Sequence, residues 1–475
     1  MSVAAISLPL LGLSAEESSL IDFHVARLLG FRRANAMHTA YYEGRQRVKN
    51  LGVNLPPSLR NVESVVGWPA TGVDVLEERL DFLGWTSANG DLFGLDDVYT
   101  DNSLDVDSSS AHLDSLVAGT GFVIVGTGDV GEPETLITAE SPDRVTGVWD
   151  GRTRRLSSAL SVEDQSDFGD VREVTLYMPY GNIRARNVAG HWRQVERDMH
   201  GLGRCQVVML PNRVRGSRVE GRSEITPAMR AYTDTGVRTM LGMDVHREFY
   251  QAPQRYLLGA EAQMFQRGDG STATGWEMVM GQVLAVPRDE DGELPVIGQF
   301  TPSSPAPYLE QMRGLAQMVS AEGAIPANYL GFTSDNPPSA DAIRAMEARL
   351  IKRAERRQKV FGRGWREVGA LALLIREGSI PDEYRGFSPA WADAATPTRA
   401  AAADEVSKYV AAGTLPADSV VTYTRMGLSR QEIATLESEK RALRAQARVQ
   451  MLANATRAPQ NGAEGTQEAS EQVAA

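Results

Sequence analysis

Three groups of residues have types and spacings that could carry chemistry. The glycines of "FVIVGTGDVG", Gly126, Gly128 and Gly131, satisfy G-x-G-x-x-G after a β-like run. That pattern serves dinucleotides when the last glycine opens a helix whose N-terminus faces the pyrophosphate. Here "EPETLIT" follows, with Pro133 and β-branched residues, so the spacing predicts a hairpin turn. Asp289, Glu290, Asp291 and Glu293 crowd into "RDEDGE"; four carboxylates could share a cation, but between two strands they read as a solvated turn. Lys352, Arg353, Arg356, Arg357 and Lys359 set five cations against the single acid Glu355. Taken alone, such a block is a solvated helix face.

The remaining catalytic patterns are missing. No G-x-x-x-x-G-K-[ST] loop occurs, so nothing in the sequence cradles ATP phosphates. The histidines His24, His38, His112, His191, His200 and His246 are scattered, with no H-E-x-x-H and no i, i+4 pair to hold a metal on one helix face. Each reads as a surface or satisfied structural histidine. No G-x-S-x-G elbow appears, and Cys205, in "CQVVML", reads as a small buried hydrophobe. No cofactor, metal or catalytic residue is expected.

The elements around these residues set the class. At 475 residues the chain is long enough for several domains and a large core. A lone cysteine closes no intrachain disulfide, which fits a reducing compartment. No Lys or Arg precedes Arg27, unlike the positive start of a secretory signal, and no apolar run approaches a membrane span. A net charge of −12 is opposite to the footprint of an ordinary duplex-binding domain. The charge is uneven: Asp74 to Ser115 holds eleven Asp/Glu and one Arg.

Periodicity predicts an α+β chain. A helix capped by Ser14 or Ser18 and stopped at Gly44 comes first, then a β-meander from "GFVIVGTGDVG" to "CQVVMLPNR". Thr226 and Pro227 open a long helix to about Gln251, as N-cap and first helical residue. Short strands follow to the Pro-rich "TPSSPAP", and then a second helix, "YLEQMRGLAQMVSAEG". That order predicts an antiparallel helical pair with a β module at its tip. Pro326, Pro337 and Pro338 keep "PANYLGFTSDNPP" out of regular helix. From Ser339 a helix of nearly forty residues runs past Ile343, Met346 and Leu350 on one face to Ile375, with a bend expected at Gly362 and Gly364. Ser429 and Glu432 have capping-box spacing before an Ala-rich helix, and the polar end beyond Arg457 is expected to be disordered.

This order, with "GRSEI" (Gly221 to Ile225), "IPANYLGFTSDNPPSADAIRAMEARLIKRAERRQKVFGRGW" and "MGLSRQEI", resembles the SPP1-like portal proteins of tailed bacteriophages. The resemblance implies a portal fold: a mixed α/β wing (1–225), stem helices (226–251 and 305–324) around a β-containing clip (252–304), and a tunnel loop (325–339). A long wing helix with its return (340–395), a helical crown (396–457) and a tail (458–475) complete it. It further implies a dodecameric ring at one capsid vertex that passes double-stranded DNA. A separate terminase ATPase would dock there, with capsid or scaffold protein at the wing and a head-completion adaptor under the clip. On that reading Phe332, Thr333, Ser334, Asp335 and Asn336 lie in the tunnel loop facing the duplex, the last four offering short polar groups, and Asp289 to Glu293 form an acidic clip turn. Few cations at the bore suits sliding, because every neutralised phosphate adds affinity. The basic block either lines the channel or meets acidic surface on the next subunit, and the second is favoured because such pairs fix register. A shell or adaptor protein of the virion without DNA passage is the competing reading.

Overall fold

The structure, a computed structural model, describes residues 12–47, 64–87, 90–167, 169–251, 255–258, 296–299, 304–331, 339–395, 399–428 and 430–457. It is α+β, and it divides into two compact units, Met1–Ala394 and Ala395–Ala475.

In the first unit, α1 (Ala15–Tyr42) begins with a capping box in which Ser14 and Glu17 satisfy each other's backbone N–H groups. Ile21 and Leu28 of α1 are buried against Leu160, Val174, Leu176 and Ile183. These belong to an antiparallel meander, β4 (Val145–Asp150), β5 (Arg155–Gln165), β6 (Val171–Tyr177), β7 (Asn182–Val188) and β8 (His191–Asp198), paired in sequence order. Two polar contacts fix this packing. Arg197 of β8 donates to both Glu17 carboxylate oxygens at 2.8 and 2.9 Å, and His24 shares a buried hydrogen bond of 2.9 Å with Ser158.

A second sheet has the order β3 (Thr135–Glu140), β2 (Thr120–Thr127), β9 (Val207–Pro211). The three glycines of the dinucleotide-like pattern fall at its β2–β3 hairpin: Gly126 pairs with Leu136, and Gly131 occupies the turn at φ +99°. Cys205 is free and buried just before β9, and burial pushes its thiol up to about 12. That is the behaviour of an inert core residue.

The main core joins this sheet to α2 (Trp68–Glu77), β1 (Phe82–Thr86), α3 (Leu95–Asp101), α4 (Leu104–Ala118) and a very long helix. That helix, α7, runs without interruption from Ala340 to Glu377, 38 residues, or about 57 Å at 1.5 Å per residue. Leu350, Ala354, Phe361, Trp365, Val368 and Leu371 form its buried face. Trp365 stacks on Phe82 at 4.5 Å and donates its indole N–H to His112 at 2.8 Å, while Trp85 donates to the Trp365 carbonyl at 2.9 Å. The α-helix continues through Gly362 and Gly364, where a bend is expected. Gly364 admits Leu210 closer than a Cβ would allow, whereas at Gly362 a Cβ would make only ordinary contact with Trp391 and Pro389. The apolar face also begins later than the periodicity predicts: Ile343 and Met346 are exposed, and burial starts at Leu350. After α7 the chain returns as β12 (Ser388–Trp391), antiparallel to β1.

Between β9 and α7 lie α5 (Pro227–Gln251) and α6 (Ala306–Gly323). They are antiparallel: Thr226 donates to Glu322 at 2.7 Å at one end, and His246 meets the Tyr308 ring at 5.5 Å at the other. Their root is buried through Met229, Val237, Leu315 and Val319 against Val66 and Trp68. Beyond the far end, β10 (Arg255–Leu258) and β11 (Val296–Gln299) pair as antiparallel strands. In the second unit, α8 (Arg399–Ala411), α9 (Val420–Arg425) and α10 (Arg430–Arg457) form a helical set. The expected cap Ser429 and the tail 458–475 lie outside the described residues. Among the described residues no helix is long and apolar enough to cross a membrane.

Candidate functional site

The residues that matter lie where the sheet unit gives way to the helical pair. Leaving β9, the chain passes Asn212 and Arg213 and returns as Gly221–Ile225 into α5. Asn212 ties the two passes together: its N–H donates to the Gly119 carbonyl at 2.9 Å, it accepts from the Arg222 N–H at 2.8 Å, and its side-chain amide donates to the Arg222 carbonyl at 2.9 Å. Gly221 makes this approach possible. It sits at φ +74°, and a Cβ there would run into the carbonyl oxygens of Asn212 and Gly119.

The turn presents Glu224 to α7. The carboxylate is 2 % exposed and is held by three guanidinium groups: Arg357, Arg353 at 2.5 Å and Arg213 at 3.5 Å. Arg357 also donates to the Asn212 side-chain oxygen at 3.1 Å. Burial pushes the Glu224 carboxyl upward, but Arg357, Arg353 and Arg213 together outweigh it, so the group stays below the usual carboxylate range. One buried anion thus locks the long helix to the root of the helical pair.

A second cluster brackets the segment between α6 and α7. Tyr329, in a 3-10 turn (Ala327–Leu330), donates its hydroxyl to Glu347 of α7, which also takes Arg79 from the end of α2 at 3.4 Å. Arg79 and Glu347 are 6 % and 14 % exposed. The chain on both sides of 332–338 is therefore stapled at one point. Phe332, Thr333, Ser334, Asp335 and Asn336 themselves lie outside the described residues, as do Asp289, Glu290, Asp291 and Glu293.

The five-cation block divides by helix face. Arg353 and Arg357 turn inward to Glu224, whereas Lys352, Arg356 and Lys359 are exposed, with Lys352 bonded to Glu355 at 2.7 Å. The two inward residues are four apart, one helical turn, on the flank of the Leu350–Ala354 stripe. Among the described residues there is no cluster of three or more His, Cys, Asp or Glu able to hold a metal ion.

The family model for phage portal proteins of the SPP1 Gp6-like type matches residues 32–443, most of the length. The chain belongs to that portal protein family. Curated relatives agree: the portal protein of Mycobacterium phage D29 is 32 % identical over 385 residues, covering 79 % of each chain. That of Mycobacterium phage L5 is 31 % identical over 387 residues, covering 80 % of this chain and 79 % of the other. Among solved structures, the neck of a native gene transfer agent particle, computed with C12 symmetry, gives a TM-score of 0.42 at 14 % identity, covering 76 % of this chain and 90 % of that one. The virion of the native gene transfer agent particle gives 0.41 with the same coverage and identity.

Within this portal chain, sequence reasoning flagged "GRSEI" without the role of its glutamate, and it missed Arg213, Arg79, Tyr329 and Glu347. No local signal marks them: an acid between Ser223 and Ile225 reads the same whether it is buried or exposed, and its cations on α7 lie far along the chain.

Proposed function

We propose that copies of this chain assemble as a dodecameric ring at one capsid vertex of a tailed phage, through which double-stranded DNA is packaged and later ejected. Family membership over most of the chain carries this reading, and the architecture supports it. A paired-helix stem joins a broad α+β body through the Glu224 lock, and Tyr329, Glu347 and Arg79 pin both ends of the 332–338 segment. That segment is the tunnel loop. Its small polar groups touch the phosphate backbone weakly, so duplex slides, while the staple sets where the loop projects.

On this reading the β10–β11 tip and the Asp289–Glu293 turn belong to the clip, where the terminase docks during packaging and a head-completion adaptor docks afterwards. The α+β body meets capsid or scaffold protein, and the second unit is the crown. The chain is a structural component of the virion, assembled in the host cytoplasm, with no catalytic residue; the packaging energy comes from the terminase. Lys352, Arg356 and Lys359 face a neighbouring subunit, while Arg353 and Arg357 serve the internal lock.

Negative-stain microscopy of the purified chain tests the ring: particles with an axial hole are expected, and closed shells or filaments across salt conditions refute it. Deleting 332–336 is expected to leave rings intact while DNA packaging or retention falls. Normal packaging by that deletion would remove the loop from the channel.

A further inference from the structure

The exposed face of α7 carries a regularity that the five-residue block conceals. Arg349, Lys352, Arg356, Lys359, Arg363 and Arg366 are all exposed and follow one another at intervals of three and four. That spacing lines them along one helix face over about 25 Å. The stripe lies away from the Leu350–Trp365 core face, and its contacts steady it while neutralising little. Arg363 lies over the Trp149 ring at 5.2 Å, Arg366 donates to the Arg385 carbonyl at 2.8 Å, and Glu355 is bonded to Lys352 at 2.7 Å and lies near Lys359. Lys359, Arg363 and Arg366 share an open groove of about 610 Å³ with Pro389 and Trp391.

The same unit presents the opposite charge elsewhere. Asp97 and Asp101 of α3 and Glu134 before β3, all exposed, line a hollow of about 340 Å³ with Arg376. Arg376 leaves α7 about a third of a turn round from the stripe, at 100° per residue. Its guanidinium is occupied by Glu377 at 3.0 Å and by the Phe93 and Gly94 carbonyls. Stripe and hollow therefore face different directions on one chain and cannot satisfy each other within it.

We propose that the α7 stripe of one copy docks on the acidic α3 hollow of the next, as a head-to-tail contact that sets the register of the ring. This rests on the ring reading above. Complementary patches pointing in different directions are what a heterologous, closing interface requires. An overall acidic chain also has reason to place its cations where the next copy's acids lie. Duplex DNA is the poorer occupant. Six aligned cations would bind phosphates through counterion release and brake the strand that the channel must pass.

The experiment uses the full-length chain with R356E/K359E, with D97K/D101K, with all four changes together, and with an equal mixture of the two double variants. Ring fraction is read by mass photometry and negative stain. Each double variant alone is expected to lower the apparent assembly constant at least about tenfold. The quadruple variant restores rings because both charges are exchanged. The mixture also restores them, because each reversed stripe finds a reversed hollow in an alternating ring. Rescue shows in the same measurement that the variants fold. If wild-type chain forms no rings, the ring reading falls and this inference with it. If the double variants assemble as wild type does, or if neither the quadruple variant nor the mixture recovers, the two surfaces do not meet, although the ring reading stands.

Discussion

Replacing Glu224 with alanine removes an anion shared by three guanidinium groups, and the cost can be worked from the geometry. Breaking a buried ion pair by deleting one partner costs about 3–5 kcal/mol, because the remaining charge stays buried. Arg357 and Arg353 are 11 % and 18 % exposed, so water reaches them poorly. An unfolding entropy of about 2.1 cal/mol/K per residue, applied to the unit ending at Ala394, gives about 0.8 kcal/mol/K. The midpoint of its thermal transition should then fall by about 4–6 °C. Scanning calorimetry at neutral pH measures this, with E310A, an exposed acid of α6, as control. A triple replacement, E224L with R353M and R357L, should recover much of the loss, since apolar side chains of similar size can substitute for a complete buried ion cluster. The acid limb supplies a second reading. The Glu224 carboxyl is held below its ordinary range, so the unfolded chain takes up the proton first as pH falls. The contribution is whole above the ordinary value of about 4.3 and is lost as pH drops through the lower folded value. E224A should lack that acid-side loss. A midpoint shift no larger than that of E310A would show that the cluster does not hold α7 to the stem root.

Two further perturbations follow from the same packing. Burial lowers the imidazole of His112 to about 3, and burial with the nearby Arg27 charge lowers that of His24 to about 4. The unfolded chain therefore binds these protons first; their contribution is complete above about pH 6.5 and drains away as pH falls towards the folded values. H112Q and H24Q should each flatten the dependence of the melting midpoint on pH between 6.5 and 4, and slopes equal to wild type would refute this. G221A should cost about 1–3 kcal/mol from left-handed backbone strain and overpacking. Urea unfolding at constant m reads that cost, and an unchanged midpoint would mean that the Asn212–Gly119 approach is loose.

Where structure depends on neighbours in sequence, the sequence displays it. Ser14 and Glu17 announce α1, Gly126 to Gly131 announce a hairpin, and Thr226-Pro227 starts α5, because capping and turn chemistry act within a few residues. The Glu224 lock is different in kind. Its partners on α7 lie 129 and 133 residues away, and nothing local distinguishes a buried acid from an exposed one. Gly364 misleads for the same reason: read locally it suggests a bend, yet its missing Cβ makes room for Leu210 of β9. The basic block lies between these cases. Its density suggests one function, but the period of the helix already sorts it, because Arg353 and Arg357 fall beside Leu350 and Ala354 while Lys352, Arg356 and Lys359 fall opposite. Charge counted along a helix therefore says less than charge sorted around it. Sorted so, one short run yields an internal lock on one side and, on the other, the exposed stripe proposed to dock on the next copy.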